Sequence, residues 1–101
     1  MNTSLSLSML LGIEFTGVQQ IEKYLNKLMV EEADIDDNNI DSYTASVIQG
    51  LSKFLQSLEN DLTTFKKIEL AKRCAFFDVI KDCFDQMKEK ISRHVKPGKL
   101  N

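Results

Sequence analysis

Apolar residues recur along this chain in three helical stripes, with a shorter apolar run ahead of them. Val18, Ile21, Leu25, Leu28 and Met29 follow one another at +3, +4, +3 and +1. At ~3.6 residues per turn, that spacing gathers side chains on one helix face. Gln19, Gln20, Glu22, Lys23, Asn26 and Lys27 take the other side. The pattern predicts a first helix over residues 17–32.

A second stripe begins after an acidic stretch. Ile48, Leu51, Leu55, Leu58, Leu62 and Phe65 repeat at +3, +4, +3, +4 and +3, and Val47 and Phe54 widen the seam. This heptad-like order predicts a second helix over 41–60. Gly50 lies inside it, either as a close helix contact or as a tolerated defect costing about 1 kcal/mol relative to Ala. Continuing the seam reaches Glu69 and Lys72, so the phase breaks. A turn or kink is expected within 59–64, where Asn60, Asp61, Thr63 and Thr64 form helix poorly.

The third stripe is the broadest. Phe77, Ile80, Phe84, Met87 and Ile91 make one seam, and Ala75, Phe76, Val79 and Cys83 make a flanking one. Together they span roughly 200° of circumference, whereas an ordinary surface helix carries a stripe of ~100°. Pro97 and Gly98 end the pattern, which predicts a third helix over 63–95 and a tail over 96–101. A helix of that length overhangs a compact monomer, and a wide apolar arc on it asks for cover from a second chain.

The opening run, Ser4-Leu5-Ser6-Leu7-Ser8, alternates as a strand would, but no second strand follows to pair with it. A secretory signal is not expected, since Met1-Asn2-Thr3 carries no basic residue and Glu14 and Phe15 stand where small cleavage-site residues belong. No apolar stretch approaches the ~20 residues of a membrane-spanning helix. The expectation for residues 1–16 is an apolar arm or short helix, with Leu7, Leu10, Leu11 and Phe15 on one face and Thr16 capping the first helix.

Composition sharpens this picture at a few points. The 101 residues suit one domain, with 43% hydrophobic and 28% charged residues. One Pro and four Gly leave few breakers, which favours helices over a many-turned sheet. A net charge of −2 is too small to imply a polyanion partner for the whole chain. Cys74 and Cys83 would sit roughly 180° apart on one helix, so they cannot bridge each other. They are expected as buried or half-buried reduced thiols in a cytoplasmic protein.

Candidate chemistry is sparse. Glu31 to Asp41 reads as a loop, with Asn39 or Asp41 capping the second helix. Asp34, Asp36 and Asn38 fit the first ligand positions of an EF-hand. Asn39 replaces its glycine, however, and Ala45 its bidentate glutamate, so no metal is predicted. His94 is the single histidine and lies among Lys90, Arg93 and Lys96, where a cation suits a helix C-terminus. No nucleophile elbow, phosphate-cradling loop or metal spacing is present, so neither enzymatic activity nor a cofactor or small-molecule ligand is expected. Lys66, Lys67, Lys72 and Arg73, and then Lys88, Lys90, Arg93, Lys96 and Lys99, form two basic groups. Carboxylates interleave with or flank them and no aromatic lies in the second, so nucleic-acid binding ranks as an alternative only.

No motif is specific to a family. In size and class alone the chain resembles small export chaperones, immunity proteins and anti-activators, and that likeness transfers no residues. The expectation is an all-α domain of three main helices in an elongated antiparallel bundle, dimeric, and acting as a non-catalytic protein-binding regulator, inhibitor or chaperone. Its partner would be a second copy, a heterologous protein or both, without a membrane. The residues expected to carry binding are Phe76, Phe77, Ile80, Cys83, Phe84, Met87 and Ile91.

Overall fold

The computed structural model describes residues 6–12 and 16–94, and every regular element among them is helical. The opening run forms not a strand but a short helix, α1 (Leu7–Leu11). Gly12 ends it with φ 78°, the left-handed conformation that suits glycine, and its N–H donates to the Ser8 carbonyl at 2.9 Å. The start of α1 is held from outside. The Leu7 N–H donates to Glu22 Oε2 at 2.5 Å, and the Ser8 N–H reaches the same oxygen at 3.4 Å. A carboxylate there satisfies free amides and complements the positive end of the helix. Leu7 and Leu11 are fully buried and Leu10 half-buried, while Phe15 lies outside the described residues.

α2 (Thr16–Glu31) buries Val18, Ile21, Leu25 and Leu28, the stripe its periodicity predicts. Thr16 is its first helical residue; the position before it lies outside the described residues. A single 3-10 turn, Glu32–Asp34, leads into the acidic loop. Asp36 Oδ1 accepts from the N–H groups of Asn38 and Asn39, and Asn39 Oδ1 accepts from the Asp36 N–H, all at 2.8–3.0 Å. Asn39 therefore occupies the cap position of the next helix but makes no side-chain bond to it. Its amide is committed to the loop.

α3 (Ile40–Asn60) departs from the expected seam. Its buried face is Tyr43, Gly50 and Phe54, with Val47 and Leu58 half-buried. The reason lies at Gly50. A Cβ there would meet Tyr24 Cε2 at 2.7 Å and Leu28 Cδ1 at 3.2 Å, so α2 approaches α3 across a bare backbone. The Tyr24 hydroxyl donates to the Ser46 carbonyl at 2.9 Å, and the Lys53 ammonium sits 5.4 Å from the ring centroid. The ring thus packs against α3 at Ser46, Gly50 and Lys53.

Tyr43 donates to the Leu28 carbonyl at 3.3 Å. Burial, and then the charges of Glu32 and Glu31, push its pKa up from 10.0 to about 12. The fold thus favours the neutral phenol. Its contribution is complete below pH 10 and is lost as pH rises through about 12. Across that window the chain is expected to lose about 2–3 kcal/mol of stability. Urea titrations at stepped alkaline pH check this; Tyr43→Phe should flatten that part of the dependence, and an unchanged slope would refute the assignment.

The link to the last helix has two steps rather than one turn at 59–64. Asp61 closes α3, a single turn α4 (Leu62–Phe65) follows, and α5 (Leu70–His94) starts at Leu70 rather than 63. Phe65 and Ile68 are buried while Lys66, Lys67 and Glu69 face outward. Turning two apolar anchors inward so close together suits a bent backbone, and N–H groups of Lys66, Lys67 and Ile68 close it on the carbonyls of Leu62, Thr64 and Phe65. α5 then buries Phe76, Ile80, Cys83 and Met87. Phe54, Phe65, Phe76 and Phe77 form one aromatic cluster, with centroids 5.4–6.3 Å apart. α1 packs on α5 and α2, and α2 packs on α3, within extents of 48 × 32 × 21 Å.

Candidate protein-binding face

The seven residues singled out on the last helix divide sharply. Phe76, Ile80, Cys83 and Met87 belong to the core of the protomer itself. Phe84 and Ile91 are half-buried, and Phe77 is 41% exposed. The broad apolar arc of α5 is largely covered inside the chain, because α1 packs against it alongside α3 and α2. The short helix does what a second chain was expected to do there.

The largest group of exposed apolar side chains on one element lies on α3 instead. Ile48 is 65% exposed, Leu51 45% and Leu55 57%. These three fall within about 60° of one another, and about 100° round the helix from the buried Tyr43–Phe54 face. Leu62, one heptad beyond Leu55, is also exposed. Phe77 of α5 is exposed as well, with its ring 6.3 Å from that of Phe54 on α3. Half-buried Val47, Leu58 and Phe84 close the gaps between these residues and the core. At ~200 Å² for a fully exposed large side chain, the five exposed residues present about 500 Å² of apolar surface, the upper range for a monomer and commonly functional.

The same stretch is poor in charge. From Ser42 to Leu58 the sequence carries one ionic residue, Lys53, which is taken up by the Tyr24 ring on the opposite flank. Ala45, Gln49, Ser52 and Gln56 complete the outward side of α3. Depletion of charge around exposed aliphatic and aromatic side chains characterises the centre of protein interfaces.

Elsewhere, Met9, Val30 and Leu70 are also exposed. Lys81 pairs with Asp85 at 2.7 Å and Arg93 with Glu89 at 2.6 Å, both exposed and one turn apart on α5. His94 is less open than expected. Its side chain is 23% exposed, with Nδ1 3.5 Å from Asp37 Oδ1, which ties the end of α5 to the acidic loop. Lys96 and Lys99 lie outside the described residues. Both cysteines are free; Cys83 is buried as expected, but Cys74 is exposed, on the side of α5 away from the core; burial, then Asp82, raises the Cys83 pKa and holds the thiol protonated. The apolar crevice among Val18, Ile21, Phe54 and Phe76 measures about 10 Å³, too small for an organic ligand. Among the described residues no group of three or more His, Cys, Asp or Glu could hold a metal ion, and no helix is long and apolar enough to cross a membrane.

No family model, curated protein or solved structure matches this chain, so the α3 face itself carries the functional argument.

Proposed function

We propose that the chain is a non-catalytic protein–protein interaction module of the small regulator, inhibitor or chaperone kind, acting in the cytoplasm through the apolar face shared by α3 and α5. The observation that carries this reading is the exposure of Ile48, Leu51 and Leu55 on a stretch of helix almost free of charge. A folded chain loses solubility by leaving such a face bare, and gains helix-on-helix recognition by covering it. We read the scaffold as an elongated bundle in which α3 and α5 run in opposite senses. Phe54 meets Phe77 towards one end, and Asp37 approaches His94 at the other.

Site-specific photocrosslinking in the native host tests the reading. Leu51 or Leu55 is replaced by benzoylphenylalanine, with Gln19 on the outer side of α2 as control. Positions 51 and 55 are expected to give covalent protein adducts and position 19 few or none. Absence of any protein adduct from 51 and 55 would overturn the interaction reading.

A further inference from the structure

We infer that the occupant of this face is a second copy of the chain, packed α3 against α3 in opposite directions about a twofold axis between Leu51 and Ser52. This rests on the interaction reading above and names the partner it leaves open. Three features of the surface carry it.

The first is area. A standard stable interface covers roughly 800 Å² per partner, with about 55–65% of it apolar. The exposed apolar surface of this face, about 500 Å² by the side-chain areas above, matches that need without any rearrangement.

The second is self-complementarity. A twofold axis at that point sets Ile48 against the partner's Leu55 and Leu51 beside the partner's Ser52, so large side chains meet large ones around a small residue. Ala45 and Ser52 on the outward side let the two helices approach closely. Lys53 and Gly50 turn away towards Tyr24, and Glu59 would fall level with the partner's Thr44. No like charges oppose one another along α3.

The third is charge at the two ends. The loop before α3 carries Asp34, Asp36 and Asp37, and Asp41 follows in its first turn. The turn after α4 carries Lys66 and Lys67, which outnumber Glu69 there. All seven are exposed. At ~1.5 Å per residue, Asp41 stands about 16 Å from the axis on one side, and α3 ends about 13 Å from it on the other, with Lys66 and Lys67 beyond that end. The twofold therefore brings the acidic end of each copy to the basic end of the other, twice. A parallel pairing would oppose acid to acid and base to base.

The test is sedimentation equilibrium of the full chain at micromolar concentrations, with circular dichroism to verify each fold. The wild type is expected at twice the 11.5 kDa chain mass. Leu55→Glu, at a site already exposed in the protomer, should keep the helical signal and weaken pairing by at least about 100-fold, since each dimer would bury two unpaired carboxylates. Ile48→Glu serves if Leu55→Glu fails to fold. Lys66→Glu/Lys67→Glu and Asp37→Lys/Asp41→Lys should each self-associate at least tenfold more weakly than wild type, and mixing the two should restore dimers. A wild-type monomer, or a dimer indifferent to both Leu55→Glu and Ile48→Glu, overturns the self-pairing. Failure of the mixture to recover overturns the antiparallel register. A monomer that still gives adducts to another protein from positions 51 and 55 leaves the interaction reading standing, so the two fail separately.

Discussion

Phe76→Ala is expected to destabilise the protomer by about 3–5 kcal/mol, and Phe77→Ala by only about 1–2 kcal/mol, although the two rings are adjacent in sequence and in contact. Phe76 is 2% exposed and touches the rings of Phe54, Phe65 and Phe77. Its removal opens a cavity where α3, α4 and α5 meet, with few neighbours free to collapse into it. Phe77 gives up less because 41% of it already faces water. Against a total of 5–15 kcal/mol for a domain, the first loss is a large share of the whole. Urea unfolding followed by far-ultraviolet circular dichroism, at concentrations low enough to keep the chain monomeric, reads the difference. Equal midpoint shifts would show that α5 is docked in another rotation.

Gly50→Val is expected to cost about 3 kcal/mol, at the upper end of the range for overpacked sites. In an exposed helix, replacing Gly gains helix propensity, so the loss has to come from packing. A Cβ at residue 50 runs into the Tyr24 ring. That ring cannot swing away without breaking its bond to the Ser46 carbonyl and leaving the Lys53 ammonium. The companion measurement is a double-mutant cycle with Tyr24→Ala. Gly50→Ala should destabilise the native background, and cost less in the Tyr24→Ala one, where the closest contact is gone and Leu28 Cδ1 at 3.2 Å remains. An equal loss in both backgrounds would refute the close approach.

These two sites mark where sequence periodicity carries information and where it stops. The α2 stripe, Val18 to Leu28, is legible because each buried residue is aliphatic and the spacing is regular. On α3 the same counting selects Ile48, Leu51 and Leu55, and these face water. The face that packs uses Tyr43, Gly50 and Phe54; at Gly50 the Tyr24 ring takes the space of an absent side chain, and hydrophobicity counting gives a glycine no weight. On α5 the core takes Phe76 and Cys83 from one seam and Ile80 and Met87 from the other. The breadth of the arc was therefore readable, but its division between core and surface was not. That division depends on α1, whose two buried leucines lie far away in the chain and whose start is held by Glu22. The exposed face was likewise hidden in plain view: its residues look like core until their helix is docked.

The chain has two tyrosines and no tryptophan. Both Tyr24 and Tyr43 sit where α2 meets α3, bonded across that contact to Ser46 and Leu28. Near-ultraviolet absorbance and intrinsic emission of this protein thus observe a single seam. Should α5 and its phenylalanines peel away first, those signals would hold steady while half of the core dissolved, and a tryptophan introduced near residue 84 would be needed to see it leave.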